Sequence, residues 1–79
     1  MADVELWTVT FQDRIIRCTT RPIYGPALHV ADALFGIELR IERNHEMYLT
    51  ELYRDRAKLS ARSEELHALL IVKGWQPAT

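Results

Sequence analysis

The sequence predicts a small α+β domain of ββαβα order: a β-hairpin, a short helix, a third strand and a long C-terminal amphipathic helix. Three observations predict it. The N-terminal residues alternate between apolar and polar, a stretch with two prolines and a glycine follows at 21–26, and no Pro or Gly interrupts the chain from His45 to Lys73. At 79 residues the chain has room for one core. We therefore expect a single domain over 1–79, with 4–43 as the ββαβ part and 44–74 as the helix.

Val4 to Phe11 is rich in β-formers, and Trp7, Val9 and Phe11 share one parity, as on a half-buried strand. Gln12-Asp13 supplies a turn, and Arg14 to Thr20 reads as the returning strand. On that strand Ile16, Cys18 and Thr20 share a face; Arg17, Thr19 and Arg21 share the other. Pro26 then stands where a first helical position would be, Ala27, Val30, Ala31 and Leu34 follow helical spacing, and Gly36 fits a C-terminal cap. Together these predict a short helix over 26–35. Strict alternation from Ile37 to Arg43 predicts the third strand.

Asn44 is a good N-cap residue and Gly74 a good terminator, so the segment between them is expected to be one helix. Tyr48, Leu49, Leu52, Leu59, Leu66 and Leu70 fall on a single stripe of it. Such a helix would span about 43 Å, whereas a compact chain of this size has a diameter of about 30 Å. The overhang predicts a homodimer, or docking on a larger protein, through the stripe. Leu52, Leu59 and Leu66 would form the seam, seven residues apart, with Arg56 and Ser63 as polar positions setting register or partner choice. A fresh helix starting at Ser63, after a break at residues 60–62, is the alternative.

Composition narrows the function classes. Hydrophobic residues make up 48% and charged residues 27%, as in ordinary folded proteins. The formal net charge of -1 builds in no long-range attraction to nucleic acid or an anionic membrane. The longest apolar run, Ala68 to Val72, is far below the length that crosses a bilayer. A single cysteine, Cys18, and a start without a basic segment followed by an apolar run suit a reducing, cytoplasmic setting.

No reactive constellation emerges. His45-Glu46 lacks the second histidine of the zinc-protease motif, because Leu49 stands there. His29, His45, His67 and Cys18 have no recognised ligand spacing, so neither metal nor cofactor is expected. Cys18, His29 and Asp32 are the residue types of a nucleophilic triad, but Cys18 lies on the core parity of its strand, where thiols are inert. The reading that follows is a non-enzymatic protein-binding module, of a size used by phage and mobile-element inhibitors, with no small-molecule substrate. The second reading is a dimeric DNA-binding regulator presenting Arg14, Arg17 and Arg21 from the hairpin to phosphates.

The run from Glu5 to Arg17, followed by His29 to Gly36, resembles the N-terminal domain of phage antirepressors of the BRO type. Those begin with a hairpin ending in Val/Ile-Arg and continue into a short helix ending in Leu-Gly. The likeness covers under half of the chain, which here ends the segment Leu34-Phe35-Gly36. The family's aromatic residue before the helix has no clear counterpart. What the resemblance implies is regulatory DNA binding, the second reading above.

Overall fold

The computed structural model describes residues 3–27 and 30–78, with side chains described for 3–24 and 36–78. Among the described residues five antiparallel strands and one helix form an α+β domain. In chain order they are β1 (Val4–Phe11), β2 (Arg14–Ala27), β3 (Val30–Arg43), β4 (Glu46–Tyr53), α1 (Arg56–Val72) and β5 (Gln76–Pro77). Their order in the sheet is β4-β3-β2-β1-β5, so the first four strands form a meander and the C-terminal segment returns to the outer edge of β1. There Val9 pairs with Pro77 and Thr10 with Gln76, and the Ala78 N–H donates to the Thr8 carbonyl at 3.0 Å.

The first hairpin forms as the alternation predicts, with Val9 opposite Ile16 and Trp7 opposite Cys18. Ile41 continues that row beside Cys18, and Leu49 beside Ile41. α1 lies across this apolar row. Val9, Ile16, Cys18, Leu39, Ile41 and Leu59 form the buried core. Leu66, Leu70, Trp7, Leu49, Tyr53 and Trp75 pack around it, half buried. The other face of the sheet carries an ion-pair lattice: Arg17 with Glu42, Arg21 and Arg40 with Asp3, and Arg40 with Glu38.

Two expected elements are different in the structure. The segment read as a helix over 26–35 has strands on both sides of residues 28 and 29, which lie outside the described residues; β2 runs to Ala27 and β3 starts at Val30. Ten residues of helix standing alone gain little, whereas extending the β2–β3 ladder gives successive backbone groups a cross-strand partner. The prolines and glycines that resembled caps sit instead at or near irregularities of that ladder, between Ile23 and Tyr24 and between Gly25 and Ala27. The third strand is accordingly longer than 37–43.

The expected helix over 44–74 is two elements. Asn44 and His45 both have positive φ, 51° and 69°, and form the tight turn between β3 and β4 instead of capping a helix. Asn44 also ties this turn to the neighbouring strand: its N–H donates to the Ile15 carbonyl at 2.9 Å, and its Oδ1 accepts the Ile15 N–H at 3.0 Å. The helix starts one residue after Asp55, whose carboxylate accepts from the Ala57 N–H at 2.8 Å. It runs unbroken through residues 60–63. Gly74, at φ 102°, ends it as expected, with the Trp75 N–H bonded to the Leu70 carbonyl and the Gly74 N–H to that of Ile71.

The overhang therefore lies elsewhere. α1 has 17 residues and spans about 25 Å, which the sheet accommodates. β2 and β3 have 14 residues each, or about 46 Å of strand, and set the long axis of the 49 × 23 × 19 Å molecule. The radius of gyration, 14.2 Å, exceeds the roughly 12 Å of a compact chain this long.

Candidate functional site

Two features stand out: a ribbon that outruns the sheet, and a groove beneath the end of the helix that opens onto the core. The ribbon begins where the flanking strands stop. β1 reaches β2 no further than Val4 opposite Thr20, and β4 reaches β3 no further than Tyr53 opposite Ile37. Beyond these points, among the described residues, β2 and β3 pair only with each other, through Ile23 with Gly36, Tyr24 with Leu34, and on to Ala27 with Val30. Of residues 22–36, Asp32 alone carries a formal charge. The two edges differ. Pro22 pairs with Ile37 yet has no N–H to donate, so the missing donor belongs on the side away from β3, and β2 is a poor template for another strand. Residues 30–36 of β3 contain no proline.

The groove, of about 340 Å³, lies between the sheet and the C-terminal half of α1. Ile16, Ile41 and Leu49 form its floor, with Trp7 at one side. Leu66, Leu69 and Leu70 form the helical wall, and Trp75 follows from the cap. Arg14, Arg43 and Lys73 line it as well, while no carboxylate does. The Arg43 guanidinium lies 5.6 Å from the centre of the Tyr48 ring, within cation–π range. Phe11 and Trp75 are in tilted contact, with ring centres 5.7 Å apart.

The residues expected to form a partner seam do not share a surface. Leu52 lies on β4, opposite Glu38, on the face away from the helix. Arg56 is exposed at the first turn of α1. Leu59 and Ser63 are only 5% and 6% exposed, and Leu66 packs against the core. The leucine stripe of the helix thus faces the protein's own sheet, with Leu59 and Ser63 buried against it, and the helix does not overhang the sheet.

The hairpin arginines separate in the same way. Arg14 lines the groove, whereas Arg17 and Arg21 are on the opposite face, each held by an acid. Arg17 Nε donates to Glu42 at 2.8 Å, and Arg21 Nε to Asp3 at 2.9 Å. These hydrogen bonds raise both guanidinium pKa values, and the bond from Arg21 lowers that of Asp3.

Cys18 is fully buried, and burial pushes its thiol up to about 11. His29 lies outside the described residues, and of Asp32 only the backbone is described. His67 packs on Trp7 with ring centres 5.1 Å apart. Among the described residues no three His, Cys, Asp or Glu side chains gather as a metal site requires, and no helix is long and apolar enough to cross a membrane.

Sequence reasoning missed the groove, although strand parity held its signal. Arg14 shares parity with Ile16, and Arg43 with Ile41, so two cations stand at the ends of apolar rows. Placing Lys73 beside them required the helix to cross the sheet.

Fold and site together define a small antiparallel meander covered on one face by a single helix, with a projecting ribbon and a cation-lined apolar groove. The chain matches no family model, no curated protein and no solved structure.

Proposed function

We propose that the chain is a non-enzymatic protein-binding module that acts by strand pairing, through residues 30–35 of β3. The observation that carries this reading is the ribbon with one proline-bearing edge and one edge that has no strand partner among the described residues. A two-stranded ribbon alone in water is marginally stable, and an open apolar edge is a template for another strand. The occupant we assign is the same edge of a second copy. Antiparallel pairing about a two-fold axis is self-complementary, and the near absence of charge from 22–36 removes repulsion between the copies.

The test is to replace residues 24–35 with Asn-Gly, closing the hairpin between the directly paired Ile23 and Gly36. Light scattering after gel filtration should find a dimer for the full chain and a monomer for the shortened one, with the same circular dichroism per folded residue. A full chain that stays monomeric at all concentrations overturns self-pairing. Capture from lysate of a protein by the full chain but not the shortened one would then assign the edge to a different partner. Capture lost on nuclease treatment would favour the DNA-binding reading, for which Arg14, Arg17 and Arg21 offer no common surface.

A further inference from the structure

We infer that the groove under the C-terminal half of α1 is a binding site for a single-chain anionic amphiphile, a hydrocarbon body with a carboxylate or phosphate head. It is independent of the ribbon. Its size, about 340 Å³, lies at the lower end of the range for small-molecule sites. The floor and helical wall offer hydrocarbon: Ile16, Ile41 and Leu49 below, Leu66, Leu69 and Leu70 beside them. A peptide backbone placed there would bury amides with few partners, whereas an alkyl chain has no hydrogen bonds to lose. Leu69 is 50% exposed although it faces this apolar lining, so the wall is left incompletely covered.

Charge sets the head group. Arg17, Arg21, Arg40 and Arg62 each meet a carboxylate within the molecule. Among the described residues Arg14, Arg43 and Lys73, like Arg56 and Lys58 at the start of α1, form no ion pair, and these first three all line this one groove. Three cations along one groove that no carboxylate lines create a field that one anion would relieve, and Tyr48 braces Arg43 at that rim. Guanidinium groups suit the planar oxygens of a carboxylate or phosphate. An amphiphile with a positive head would meet repulsion there, and one with a neutral head would leave the cations unmatched.

Both tryptophans of the chain line the groove, so intrinsic fluorescence reports its occupancy directly. The experiment is titration of the full chain with decanoate, decyl phosphate, decyl maltoside and decyltrimethylammonium, each below its micellar concentration. Expected is a saturable change in tryptophan emission with one or both anionic probes, weakened by salt and absent with the other two. The double variant Arg43→Gln, Lys73→Gln, checked for unchanged circular dichroism, should lose at least tenfold in affinity. A preference between decanoate and decyl phosphate identifies the head group. No saturable response to either anion, equal binding of the maltoside, or full affinity in the double variant would overturn the assignment. The shortened hairpin should bind the probes normally, so this result and the oligomer test fail or succeed separately.

Discussion

Trp7 donates its indole N–H to Ser63 Oγ at 2.9 Å, joining β1 to the middle of α1. Ser63 is 6% exposed and is the polar residue at the centre of an otherwise apolar helix face. Its hydroxyl also lies 3.9 Å from Cys18 Sγ. Removing it strands a part-buried donor, which costs about 1–3 kcal/mol. Ser63→Ala should therefore lower the midpoint of urea unfolding without changing its slope. A shift below about 0.5 kcal/mol would mean that water takes over the bond.

Cys18 gives a prediction at the alkaline end. Its thiol titrates near 9.0 when exposed and is pushed up to about 11 in the fold, because burial disfavours the thiolate. The folded state thus keeps a proton that the unfolded chain loses above pH 9. The stability tied to this group is complete below pH 9 and declines as pH rises toward 11. In Cys18→Ala that alkaline decline should be shallower, as read from unfolding midpoints between pH 8 and 11. Labelling of the wild-type thiol by a disulfide reagent at pH 8 should proceed only as fast as the protein opens.

The parts of the fold legible in the sequence are those fixed by short-range pattern: the alternation of Trp7, Val9 and Phe11, the row from Ile37 to Ile41, and Gly74 as terminator. The rest depended on pairing. Met47 to Tyr53 contains both a helical stripe, Tyr48, Leu49 and Leu52, and strand formers, Tyr48, Thr50 and Tyr53. What decides is β3, whose far edge would otherwise be unpaired. The hairpin signal was weak because Asn44-His45 lacks the usual glycine. Val30, Ala31 and Leu34 fit helical spacing, but the ladder with β2 prevails. The seam failed as a site because Leu59, Ser63 and Leu66 were indeed one face, and that face meets the protein's own core.

Glu51 and Arg62 pin β4 to α1. Arg62 Nε donates to Glu51 Oε1 at 3.1 Å, and the Tyr53 hydroxyl donates to the same oxygen at 2.8 Å. The Arg62 bond, followed by that of Tyr53, holds the Glu51 carboxyl below its ordinary 4.5. A lowered carboxyl contributes stability above pH 4.5, which is lost as pH falls through the folded-state value. Glu51→Gln should cost about 0.5–1 kcal/mol at neutral pH, in keeping with a partly solvated pair, and should bring wild type and variant together at pH 2–3. Parallel acid limbs for the two proteins would assign the acid sensitivity to other carboxylates.

His45 offers a change in the stabilising direction. It stands at φ 69° in the turn after Asn44, a left-handed conformation that costs a side-chain-bearing residue about 1–2 kcal/mol. The same two-residue turn with glycine second is the favoured hairpin connection. Glycine frees the unfolded chain by about 0.4–1 kcal/mol, which offsets part of the relief. His45→Gly should therefore gain up to about 1 kcal/mol and raise the melting temperature by about 4–8 °C per kcal/mol for a domain this small. Asn44→Ala should act oppositely, since it places alanine at φ 51° and removes the acceptor for the Ile15 N–H. If both substitutions lower the melting temperature, His45 holds the turn through its side chain beside Ile15, Arg17 and Glu42, and relief of backbone strain is not the dominant effect.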